Sequence, residues 1–88
     1  MNIRLNKKHR RTLEAIFSKE VPATLQWRRI EALFKALGAL KDEKSGSSVT
    51  FELNRKTTTL HRPHPRKEIN RYQVRDIRDF LKRAGITL

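Results

Sequence analysis

Eighty-eight residues carry 21 Lys and Arg against nine Asp and Glu, a formal charge of +12 at neutral pH. A chain of that length holds one modest core around residues 1–88, and the absence of cysteine excludes disulfides, thiolate metal sites and cysteine nucleophiles. No apolar run approaches the ~20 residues of a membrane span, and Met1–Lys8 has no apolar signal-peptide stretch, so a cytoplasmic protein with no membrane contact is expected.

The first predicted element is a helix over Lys7–Lys19. Asn6 is its cap, and Leu5, His9, Leu13, Ile16 and Phe17 recur on one face. Pro22 interrupts the pattern, so Glu20–Ala23 reads as a connector. A second helix is expected over Leu25–Leu37, with Thr24 as N-cap and Ile30, Leu33, Phe34 and Leu37 as its apolar stripe. Gly38 is placed to stop it in the left-handed conformation. Trp27 reads as core near the start of this helix, rather than as a base-stacking platform.

After Gly38 the period changes from helical to alternating. Ala39–Glu43 is a weak strand candidate and Lys44–Ser47 a turn. Ser48–Leu53 sends Val49, Phe51 and Leu53 to one side and Ser48, Thr50 and Glu52 to the other. Asn54-Arg55 can form a two-residue hairpin turn, because Asn tolerates positive φ. Lys56–His61 follows as a threonine-rich strand. Arg62–Asn70 contains two prolines and cannot continue a ladder. A last helix starts at the cap Asn70, with Gln73 three residues on as in a capping box. Its apolar face is Val74, Ile77, Phe80, Leu81 and Ala84, and Gly85 ends it.

The order is α-α-β-β-β-α. It predicts an α+β fold, a three-stranded antiparallel sheet with helices on one face. The opposite sheet face would carry Ser48, Thr50, Glu52, Thr57, Thr59 and His61. Charge is uneven along the chain: residues 1–20 contribute +4, residues 21–53 +1 and residues 54–88 +7. A polyanionic partner suits this balance, because each phosphate neutralised releases counterions.

Three stretches, taken in order, resemble one family. They are Trp27-Arg28-Arg29-Ile30-Glu31-Ala32-Leu33 ending at Leu37-Gly38; Gly46-Ser47-Ser48-Val49; and Pro63-His64-Pro65-Arg66-Lys67-Glu68-Ile69 leading to a helix that closes Leu81-Lys82-Arg83-Ala84-Gly85-Ile86. This pattern resembles the HicA family of toxin–antitoxin systems over roughly Leu25 to Leu88. Residues 24–88 would be the common core, and residues 1–23 an added helix and connector. The resemblance implies a double-stranded-RNA-binding-domain-like fold, metal-independent cleavage of messenger RNA, and a HicB-like antitoxin that covers the active face and through which the toxin could oligomerise. It also implies a catalytic histidine after the Gly-Ser pair, where this chain has Ser48, and a second histidine that corresponds to His64.

RNA is cleaved without a metal when a base takes the 2′-hydroxyl proton and an acid protonates the leaving 5′-oxygen. Histidine suits both tasks. Serine at 48 can only hydrogen-bond a phosphate. The hairpin register supplies a substitute: with a two-residue loop at Asn54-Arg55, Leu53 pairs with Lys56 and the count arrives at Ser48 opposite His61, on one face. A one-residue slip would move His61 to the other face. His61 and His64 are therefore the catalytic candidates, His64 being held stiff between two prolines. A metal held by the two histidines lacks a third ligand nearby, and no cofactor is expected.

Arg62, Arg66 and Lys67 flank the histidines, and Arg71 and Arg75 continue the basic track into the last helix. Lys7, Lys8, Arg10 and Arg11 form a second patch, suited to RNA or to an acidic antitoxin surface. Two rival readings remain open at this point. One is a non-catalytic nucleic-acid-binding module of the same fold. The other is a DNA-reading helix-turn-helix, disfavoured because the link between the first two helices lacks a short Gly-containing turn.

Overall fold

A computed structural model describes residues 5–20, 25–43, 46–63 and 68–88. Its elements are α1 (Lys7–Phe17), α2 (Trp27–Leu37), β1 (Leu40–Glu43), β2 (Ser48–Leu53), β3 (Lys56–His61) and α3 (Arg71–Arg83). The order and the α+β class agree with the expectation, and the antiparallel sheet runs β1-β2-β3.

Alternation in β2 and periodicity in the helices build one core. Val49, Phe51, Leu53 and Leu60 leave the sheet on the side covered by helices, where they meet Ile30, Leu33, Phe34, Val74, Ile77, Phe80 and Leu81. Phe34 stands edge-on to Phe51 with ring centroids 4.7 Å apart and lies 5.6 Å from Phe80, so one aromatic ring joins α2 to both the sheet and α3. Trp27 is buried with its ring 6.1 Å from Phe51, in the core role expected of it.

Three boundaries differ from the sequence expectation, each for a tertiary reason. α1 stops at Phe17 rather than Lys19. Ser18 turns to extended geometry, and Arg78 of α3 donates to the Ile16 and Ser18 carbonyls, both at 2.8 Å. α2 starts at Trp27 rather than Leu25. Leu25 and Gln26 are drawn instead into a short antiparallel contact with Ile69 and Glu68, where the Ile69 N–H donates to the Leu25 carbonyl at 2.9 Å. The expected cap Thr24 lies outside the described residues. β1 starts at Leu40 rather than Ala39, because the Ala39 N–H still closes onto the Phe34 carbonyl after Gly38 turns left-handed at φ +88°.

Asn54 and Arg55 both take positive φ, +51° and +68°, as a two-residue turn between right-twisted strands requires. The Asn54 side chain donates to the Ala84 carbonyl at 2.6 Å, so the hairpin tip also receives the end of α3. α1 packs on α2 and α3, in the helical layer.

Candidate active site on the open face of the sheet

The hairpin register is the one counted from the sequence, Leu53 with Lys56 through to Ser48 with His61. Ser48, Thr50, Glu52, Thr57, Thr59 and His61 all lie on the helix-free face, where the six are exposed or half-buried. Thr50 and Thr59 hydroxyls meet at 2.9 Å, and one step towards the end of the hairpin Ser48 Oγ lies 3.4 Å from His61 Nδ1. That last contact is long for a hydrogen bond, and solvent reaches it.

The main chain around His61 is held more firmly than its ring. The Arg62 N–H donates to the Ser47 carbonyl at 2.8 Å, so Ser47–Arg62 is a hydrogen-bonded pair. In an antiparallel ladder the next pair, Ser48–His61, is then the close, non-bonded kind, and the His61 N–H and C=O point outward to the free edge of β3. There the Gln73 carboxamide meets both: Oε1 accepts from the His61 N–H at 2.7 Å, and Nε2 donates to the His61 carbonyl at 2.9 Å. Asn70 Oδ1 in turn accepts from the Gln73 N–H at 2.9 Å, capping α3. Gln73 thus does not complete the capping box expected of it, since its side chain is spent on β3.

Periodicity and cap patterns in the sequence do not assign this role to Gln73. The available sign was a glutamine one position before Val74 and four before Ile77, on the face of α3 that had to be buried. Buried amides seek paired partners, and a strand edge offers a donor and an acceptor side by side.

Arg62 goes to the other side of the sheet from His61, as alternation demands. Its guanidinium pairs with Glu43 at 2.6 Å and lies 4.0 Å from Glu31, while Lys41 bridges Glu31 at 2.6 Å and Glu43 at 3.2 Å. The Arg62 guanidinium holds the Glu43 carboxyl below its ordinary value, with Lys41 adding to the effect. The hydrogen bond to Glu31 holds the Lys41 ammonium above its ordinary value, against a smaller opposing effect of desolvation. The structure therefore does not bring the Arg62 charge beside the His61 ring. It anchors Arg62 between β1 and α2.

Arg71 and Arg75 are exposed on the first turns of α3, close in sequence to Gln73 and so at the His61 end of the sheet. Tyr72, between them, is 74% exposed. Lys7 and Lys8 are exposed on α1, in the helical layer, away from the open sheet face. His64, Arg66 and Lys67 lie outside the described residues. Among the described residues, no three His, Asp or Glu side chains are grouped to hold a metal ion, and no helix is long and apolar enough to cross a membrane.

In the tautomer whose Nδ1–H donates to Ser48 Oγ, His61 Nε2 keeps its lone pair. A protonated ring would present a donor at the same atom.

Residues 27–86, about two thirds of the chain, match the family described as HicA toxin of bacterial toxin–antitoxin. Neither the curated proteins nor the solved structures contain a match. The matched segment runs from the first residue of α2 through β1, β2, β3 and α3, and α1 precedes it. The chain belongs to the HicA family of toxins of bacterial toxin–antitoxin systems.

Proposed function

We propose that this toxin is a metal-independent endoribonuclease that cleaves messenger RNA in the cytoplasm and is restrained by a HicB-like antitoxin. The observation that carries the reading is the Ser48–His61 pair. It offers an imidazole across from the place where the family pattern has its histidine, on the helix-free face of the sheet.

In this reading one histidine takes the 2′-hydroxyl proton, the 2′-oxygen attacks phosphorus, and the phosphorus–5′-oxygen bond breaks as the other histidine protonates the leaving oxygen. The products are a 2′,3′-cyclic phosphate and a free 5′-hydroxyl. His61, with Ser48 accepting from its Nδ1–H, fits the base, and His64 is the candidate acid. Arg71 and Arg75, with Arg66 and Lys67, would hold the phosphates and stabilise the charge that develops on them. Ser48 itself would hydrogen-bond a phosphate oxygen.

The test is cleavage of an RNA transcript at neutral pH with a chelator present. Wild type should cut, and His61→Ala should lose about 10²–10⁴-fold, the range of one general acid or base. Undiminished cleavage by His61→Ala would overturn the assignment. A second reading is a binding module that no longer cuts, favoured by Ser48 standing where a histidine is expected. It predicts salt-sensitive RNA binding with no cleavage by wild type.

A further inference from the structure

α1 lies outside the segment that matches the family, yet it is built firmly into the body. Thr12, Leu13 and Ile16 are buried, and Arg78, within the matched segment, reaches across to close the C-terminal carbonyls of the helix. The outward residues of this anchored helix are Lys7, Lys8, Arg10, Arg11 and Glu14. None of the four cations is ion-paired among the described residues.

Their position runs against helix stability. The first turn of α1 has no acidic residue, and it begins Lys7-Lys8 at the end where the helix dipole is already positive. Cations there oppose the dipole, and they repel one another besides. Four cations with only Glu14 to offset them on the same face break a local rule, and such a break points to a partner outside the fold.

The composition of the patch says what kind of partner. An interface with a folded protein needs a buried apolar or aromatic centre, and lysine is depleted from such interfaces. The exposed residues of α1 are all charged, four of them positive, with no apolar residue among them. A phosphate backbone needs no such centre.

We propose that the outward face of α1 is a second RNA-binding surface, which grips the phosphate backbone away from His61 and sets affinity rather than chemistry. The proposal rests on RNA being the polyanion this toxin handles, but not on its cutting that RNA. Because α1 is held by its buried face and by Arg78, it loses little freedom on binding. It works as a rigid rail of charge.

The test combines Lys7→Gln, Lys8→Gln, Arg10→Gln and Arg11→Gln in one chain that also carries His61→Ala, with His61→Ala alone as reference. Binding of a 20-nucleotide single-stranded RNA is titrated across salt concentrations with chelator present. Glutamine keeps helix propensity and removes the repulsion, so thermal unfolding should show the variant at least as stable. Each lost phosphate contact lowers the slope of log K against log salt by about 0.7, so the slope should fall by up to about 3 units and affinity by roughly tenfold or more at low salt. An unchanged slope in a folded variant overturns the proposal. So does a variant that loses binding to poly-glutamate, a surrogate for an acidic protein, while it keeps its RNA slope. If wild type never cuts RNA but the slope still falls, the nuclease reading fails and this inference stands.

Discussion

The Gln73 carboxamide sits on the outer edge of β3 as one further strand residue would, giving an acceptor to the His61 N–H and a donor to the His61 carbonyl at 2.7 and 2.9 Å. This ties the first turn of α3 to the residue proposed as base, so the position of the ring depends on how α3 is capped and packed. The edge is thereby closed at its functional end, and β3 cannot freely accept a foreign strand there.

Gln73→Glu separates the two bonds. It keeps the acceptor for the His61 N–H and replaces the donor with a carboxylate against a carbonyl. Gln73→Ala removes both. Each change should cost about 1–3 kcal/mol in thermal or urea unfolding, the range for leaving a largely buried polar group without its partner. Amide exchange at His61 should speed up in Gln73→Ala and stay slow in Gln73→Glu. Equal exchange in all three proteins would show that the side chain does not hold the strand.

The charge cluster at Glu31, Lys41, Glu43 and Arg62 predicts how stability varies with pH. The Glu43 carboxyl is held below its ordinary 4.5 by Arg62, so its contribution is present above that value and disappears as pH falls through the lower folded-state value. Lys41 is held above its ordinary 10.5, so its contribution is present below that value and disappears as pH rises through the higher one. Between these limits the cluster adds no slope of its own. Both groups are exposed, so the effects are small. Melting temperatures of wild type and Glu43→Gln should differ most at neutral pH and converge as pH falls below 4.5 and through the lowered folded-state value. A difference that persists undiminished into acid would mean the pair contributes nothing through charge.

Arg55 occupies the second turn position with φ +68°, where a side chain is disfavoured. Arg55→Gly removes that strain, offset in part by the greater freedom glycine has when unfolded. The net gain should be about 0.5–1 kcal/mol, read as a rise in denaturation midpoint with unchanged register. A loss of stability would mean that the Arg55 side chain makes a contact worth more than the strain.

Arg78 closes the end of α1 through two 2.8 Å bonds to main-chain carbonyls. Arg78→Lys keeps the charge but not the two-pronged geometry, and Arg78→Ala loses both. Unfolding should show a cost of about 1.5–3 kcal/mol for alanine, the range for bonds to a charged donor, and a smaller one for lysine. Limited trypsin digestion should also cut within α1 earlier in the alanine variant. Equal protection would show that the apolar face of α1 holds it unaided.

Much of the fold was legible from local rules. Period 3.6 marked α2 and α3 through Ile30, Leu33, Phe34 and Leu37, and through Val74, Ile77, Phe80 and Leu81. Period 2 marked β2 through Val49, Phe51 and Leu53. Of the candidate site, the pairing of Ser48 with His61 could be counted from Asn54-Arg55 alone. A two-residue loop leaves one register, and alternation then determines the face of every residue along both strands.

The partners of the long polar side chains could not be read this way. Arg62 follows His61 by one residue yet turns to Glu43 and Glu31. Gln73 reaches His61 instead of its own helix cap, and Arg78 ends a helix 60 residues earlier in the chain. Periodicity says which way a residue points from its own element. Whether an Arg or Gln then meets a carboxylate, a strand edge or water depends on which other element packs within a few ångströms, and that is a property of the assembled layers. The charge of +12 was visible at once; its division between an anchored Arg62, the exposed Arg71 and Arg75 of α3 and the exposed cations of α1 arose only when those layers came together.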